Sequence, residues 1–94
     1  MLRDRPPPPG RENAEAIAVS ALNYLAGDQE TLGRFLALAG IGPGALRDIA
    51  GKPEFLRGVM DFMVSDEALL KAFAGAAGIG PEEVAAAQRI LEGS

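Results

Sequence analysis

The chain has 94 residues, 48% of them hydrophobic and 23% charged, and a net charge of −4. That is one domain's length and an ordinary globular composition, and the absence of cysteine and histidine excludes disulfides and thiolate or imidazole metal sites. The acidic balance argues against strong nonspecific binding to nucleic acid and against an anionic membrane surface, both of which need an excess of Lys and Arg.

In chain order, residues 1–12 are expected to be a disordered, proline-rich leader, and residues 13–94 a single helical domain. Pro6 to Pro9 each fix φ and lack an N–H, which sets an extended polyproline stretch and stops the next helix from growing backwards. Arg3 to Pro9 also spell an Arg-x-x-Pro-x-x-Pro pattern. Helix 1 is predicted over 14–26, with Asn13 as N-cap and Ala14, Ile17, Ala18, Ala21, Leu22 and Leu25 on one stripe. Gly27 ends it, and Asp28 caps helix 2 over 29–39, whose Leu32, Phe35, Leu36 and Ala39 are expected to face inward. Gly40-Ile41-Gly42 is a tight turn, and Pro43 opens a short helix 3 to about residue 50. Pro53 starts helix 4, with Phe55, Leu56, Val59, Phe62 and Met63 apolar. Ser65 or Asp66 caps helix 5, which carries Leu69, Leu70, Phe73 and Ala77. Gly78-Ile79-Gly80 is a second tight turn, and Pro81 opens helix 6, with Val84, Ala87 and Leu91 on one side. β-branched residues are scarce and no strand pattern survives, so the expected fold is an all-α bundle of five to six short helices.

Sliding the sequence over itself by 38 residues superposes two copies of D-x3-L-x2-F-x3-A-G-I-G-P, at Asp28 to Pro43 and Asp66 to Pro81. The expected organisation is an internal duplication of a helix–Gly-Ile-Gly-Pro–helix hairpin, with repeat one over about 15–52 and repeat two over about 53–90. The glycines permit φ > 0, the Ile plugs the core, and the Pro starts the outgoing helix.

The segments Leu38 to Ile49 and Ala76 to Val84 resemble the helix-hairpin-helix motif, and the pair resembles a double helix-hairpin-helix domain over residues 28–92. That resemblance implies that turn amides hold a nucleic-acid phosphate with a neighbouring basic residue. The position just after Gly-Ile-Gly-Pro is Gly44 in one copy and Glu82 in the other, and neither is basic. The first hairpin is the better candidate for an anion site, at Gly40, Gly42, Gly44, Arg47 and Lys52. The segments Ala21 to Asp28, Leu32 to Pro43 and Phe62 to Leu70 also resemble a family of short helical bacterial proteins, typical of alphaproteobacteria, whose function is unknown. This second likeness covers about residues 13–92 and implies a stand-alone intracellular protein with no activity, cofactor or site residues to carry over.

No catalytic constellation emerges. Ser20, Thr31, Ser65 and Ser94 lack a basic partner, and the Asp66-Glu67 and Glu82-Glu83 pairs sit in helix first turns, where the helix dipole accounts for them. Asp61 reads as a solvated carboxylate, and no acidic cluster has calcium-loop spacing. No apolar stretch follows Met1-Leu2-Arg3-Asp4-Arg5, so no signal peptide is expected, and the longest uncharged apolar run, 72–80, is too short for a membrane span. The sequence therefore predicts a cytoplasmic, non-enzymatic protein without cofactors. Its expected role is a protein-interaction or regulatory module, with a protein partner. The alternative is a weak, non-sequence-specific nucleic-acid backbone binder acting through the first hairpin.

Overall fold

A computed structural model describes residues 10–93, so the expectations for residues 1–9 lie outside the described part. Within it the chain is all-α, with helices α1 (Arg11–Ala26), α2 (Gln29–Ala39), α3 (Leu46–Ile49), α4 (Pro53–Val64), α5 (Glu67–Ala77) and α6 (Pro81–Glu92). None of these helices is long and apolar enough to cross a membrane.

α1 starts three residues earlier than its apolar stripe suggests. Its N-cap is Gly10, not Asn13, and the first turn closes with the Ala14 amide donating to the Gly10 carbonyl at 2.9 Å. Glu12 in the first turn complements the helix dipole, and an Arg11–Glu15 ion pair at 3.1 Å adds i,i+4 support. Helix therefore begins as soon as the run of prolines ends.

The other helix starts follow the capping residues. The Asp28 carboxylate accepts from the amides of Glu30 (3.2 Å) and Thr31 (3.4 Å) and from the Thr31 hydroxyl (2.8 Å). Asp66 accepts from the Leu69 amide at 3.2 Å. Ser65 is not the cap; its hydroxyl donates back to the Phe62 carbonyl at 2.8 Å.

α2 and α5 end alike. Gly40 (φ 71°) and Gly78 (φ 74°) adopt the left-handed conformation. The next residue in each case reaches back, Ile41 to the Leu36 carbonyl at 2.9 Å and Ile79 to the Ala74 carbonyl at 3.0 Å. This is a Schellman closure, with an isoleucine as its apolar contact. Only the first glycine of each Gly-Ile-Gly needs positive φ; Gly42 and Gly80 do not have it, which corrects the expectation for both pairs.

The third helices of the two copies differ. A 3₁₀ turn at Pro43–Ala45 leads into α3, which lasts four residues, whereas α6 runs for twelve. α3 ends at Ile49, Ala50 and Gly51 form a turn, and Lys52, extended at ψ 140° ahead of Pro53, is the N-cap of α4.

The core is built on α1, α4 and α6, which pack mutually, with α2 and α5 on the flanks. The buried stripe of α1 is Ala14, Ala18, Ala21 and Leu25, all fully buried. Three alanines at four- and three-residue spacing let α4 and α6 approach closely. They bring Leu56, Val59, Met60 and Met63 from α4, and Val84, Ala87 and Leu91 from α6. Asp61 is exposed as expected, and its Oδ1 accepts from Gln88 Nε2 at 2.8 Å, a polar tie between α4 and α6. Ala39, expected to face inward, is exposed, as is Ala77 at the end of α5; each is followed by the left-handed glycine that ends its helix.

Two predictions follow from the caps. Gly40→Ala should lower unfolding stability by roughly 1–2 kcal/mol because of its positive φ, while Gly42→Ala should be neutral or slightly stabilising; urea titration of both variants checks this. The Thr31 hydroxyl first, and then the Thr31 amide, hold the Asp28 carboxyl below its ordinary pKa. That stabilisation is therefore present above the unfolded-state pKa of about 3.9 and lost as pH falls through the lower folded-state value. Thr31→Val should move the Asp28 titration upward, as read by carboxyl-carbon NMR.

Candidate functional site

The Schellman turn after α2 drops Ile41 between the end of α2 and the start of α4. The two helices diverge there and leave an open groove of about 320 Å³. Phe35 and Ala39 of α2, Ile41, Ile49 of α3, and Phe55 and Gly58 of α4 form its apolar wall. Lys52 and Glu54 stand in the same lining and are exposed. Phe35 is the hub: its ring lies 5.7 Å from that of Phe55 and 5.2 Å from that of Phe62, both tilted. Three residues after Phe35, Leu38 is 74% exposed, the most exposed large hydrophobic side chain among the described residues.

A second, smaller groove of about 140 Å³ lies between α5 and α1, beside the second Gly-Ile-Gly turn. Phe73, Ala77 and Ile79 occupy the places of Phe35, Ala39 and Ile41, and Ala16, Ile17 and Ser20 occupy those of Glu54, Phe55 and Gly58. Each of these pairs is 38 residues apart in sequence. The ring pair Tyr24–Phe73 at 5.6 Å likewise matches Phe62–Phe35 at 5.2 Å. The first groove is the larger and more apolar of the two, with Phe55 in place of Ile17 and glycine in place of Ser20.

A wider hollow of about 450 Å³ at the α1–α2 corner, lined by Asn23, Tyr24, Asp28, Thr31 and Leu69 among others, is less suited to a ligand. Its carboxylate and hydroxyl are already bonded to each other and to the first turn of α2.

The residues singled out from sequence for an anion site are all exposed, and only one of them lines the groove. Lys52 is in its wall; Gly40, Gly42, Gly44 and Arg47 are not. The Gly40 amide donates to the Ala37 carbonyl at 3.2 Å, so it is already engaged. Arg34 is held by Asp66 of α5 at 3.6 Å and lies 5.6 Å over the Phe62 ring. In the second hairpin the Gly80 amide donates to Glu83 Oε1 at 3.1 Å, and the Glu82 carboxylate occupies the space of a Cβ on Gly80. Among the described residues no three Asp or Glu side chains gather as metal ligands.

The family profile for proteins of unknown function DUF3572 matches residues 11–94. The chain belongs to that family. No curated protein matches it, and no solved structure does. The DUF3572 match starts on the residue where α1 starts, and both grooves lie within it.

Sequence reasoning took Phe35, Ile41 and Phe55 as interior residues and passed over Leu38 and Gly58. The available signals were an apolar residue outside the buried stripe of α2 and a glycine in the middle of α4. A Cβ at Gly58 would meet nothing within 4 Å. Gly58→Leu should therefore fill the groove and raise unfolding stability by about 1 kcal/mol through helix propensity, as measured by urea titration; a loss of stability would show that α2 and α4 leave no room there.

Proposed function

We propose that the chain is a non-catalytic protein-interaction module that takes an apolar segment of a protein partner into the groove between α2 and α4. One observation carries this reading: an open groove floored by Phe35 and Phe55, with Leu38, 74% exposed, one residue before Ala39 of its wall. The rim supports the same reading, since Lys52 and Glu54 supply one charge of each sign to orient a polypeptide. The core supports a binding role over a catalytic one. Among the described residues no polar or charged side chain is buried, so none has the desolvated setting that general acid–base chemistry uses. A regulatory role would follow from whichever partner the groove selects.

A photo-crosslinking amino acid at Leu38, with the same residue at Val19 as a control on α1, tests the proposal in cells. The expected result is one discrete adduct from position 38, none from position 19, and loss of the adduct in the Gly58→Leu background. Crosslinking that Gly58→Leu leaves unchanged would sink the groove as the site. NMR titration with a short DNA duplex at low salt tests the nucleic-acid reading. Amide shifts confined to residues 40–52 that vanish with added salt would assign the first hairpin to phosphate instead.

A further inference from the structure

We infer that the occupant of the groove between α2 and α4 is a second copy of this chain, with Leu38 of each copy seated in the groove of the other about a two-fold axis. This rests on the groove being a binding site, and it names the partner that the groove takes. A two-fold contact sets the same patch on both sides, so the patch must complement itself. It needs a projecting side chain together with a hollow to receive it, and it needs charges of both signs.

The projection and the hollow lie on one helix. Leu38 follows the groove residue Phe35 by three positions, which makes the two neighbours on the surface of α2. It is 74% exposed, so its side chain is available to another molecule. An apolar cavity of about 150 Å³ holds a benzene molecule. The groove, at about 320 Å³, therefore has room for a leucine side chain. Gly58 in its lining keeps that room open, with nothing within 4 Å of where a Cβ would stand.

The charges meet the second requirement. Lys52 and Glu54 are exposed in the same lining, and neither has an ion-pair partner among the described residues. A lining of one sign would repel its own copy. One Lys and one Glu instead give two ion pairs about the axis, each Lys52 with Glu54 of the other copy. Over residues 46–58, Arg47, Lys52 and Arg57 stand against Asp48 and Glu54. Two copies thus meet here close to charge balance, although the chain as a whole is at −4. The second groove meets neither requirement. Its lining holds no charged residue, and the counterpart of Leu38, 38 residues on, is Ala76.

Sedimentation velocity of the full chain over a range of concentrations tests this, with far-UV circular dichroism to check that each variant keeps its helices. The expected result is a two-chain mass that falls to one chain on dilution. Leu38→Asp should raise the dissociation constant by roughly tenfold or more. Lys52→Glu sets acid against acid across the axis, and Glu54→Lys sets base against base, so each alone should weaken pairing. An equimolar mixture of those two variants should pair again, because every Glu then faces a Lys. A one-chain mass at every concentration would overturn the inference. So would a dimer that Leu38→Asp leaves intact, or a mixture that pairs no better than its components. The position-38 crosslinker separates this inference from the reading it rests on. A monomer that crosslinks to a different protein removes only the second copy, whereas a monomer that gives no adduct removes the groove as well.

Discussion

The fold depends on a backbone constraint met twice: a glycine at positive φ, followed by an isoleucine whose amide reaches back to close the helix. At Gly40 and Gly78 the left-handed geometry ends α2 and α5 after eleven residues each and turns the chain out of the helix axis. Ile41 and Ile79 then pack partly buried against the core. Any residue with a Cβ at either glycine is strained. The turn thus fixes both the length of the flanking helix and the point at which it parts from its neighbour. The isoleucine of each turn lines a groove, Ile41 the first and Ile79 the second.

The two copies share this turn, the aspartate cap and the aromatic pair, yet they are completed differently. α6 is long enough to lay Val84, Ala87 and Leu91 across α1 and α4. α3 has only Leu46 and Ile49 to offer, both half-buried. The central packing of α1, α4 and α6 is therefore asymmetric, although the local motifs match. The asymmetry extends to the grooves, where Phe55 and Gly58 line the first and Ile17 and Ser20 line the second.

Much of this was legible in the sequence because the signals were local. Asp28 and Asp66 mark helix starts, Gly40 and Gly78 mark helix ends, and the spacing of Val84, Ala87 and Leu91 marks the face of α6. What was not legible needed tertiary information. The start of α1 is set by a glycine after the prolines and an Arg11–Glu15 pair, not by the apolar stripe that ends at Ala14. The groove itself is a relation between α2 and α4, and no periodicity in either helix announces it. Of the residues proposed for an anion site, only Lys52 lines the groove, and the Gly40 amide is already bonded to the Ala37 carbonyl.

The openness of the first groove is difficult to explain by stability alone. Gly58 sits in the interior of α4 with free space where a side chain would stand. Glycine there weakens the helix by about 1 kcal/mol relative to alanine, and a leucine would gain burial as well. Leu38 adds to the case, since burial of a leucine side chain stabilises by about 1.5–3 kcal/mol and this one is largely in water. Both choices lower stability, both lie along the same two helices, and both enlarge apolar surface that an incoming chain can cover. On the proposed reading, an apolar segment laid over Phe35 and Phe55 would use the space at Gly58 and could extend onto Leu38, one residue before Ala39 of the groove wall.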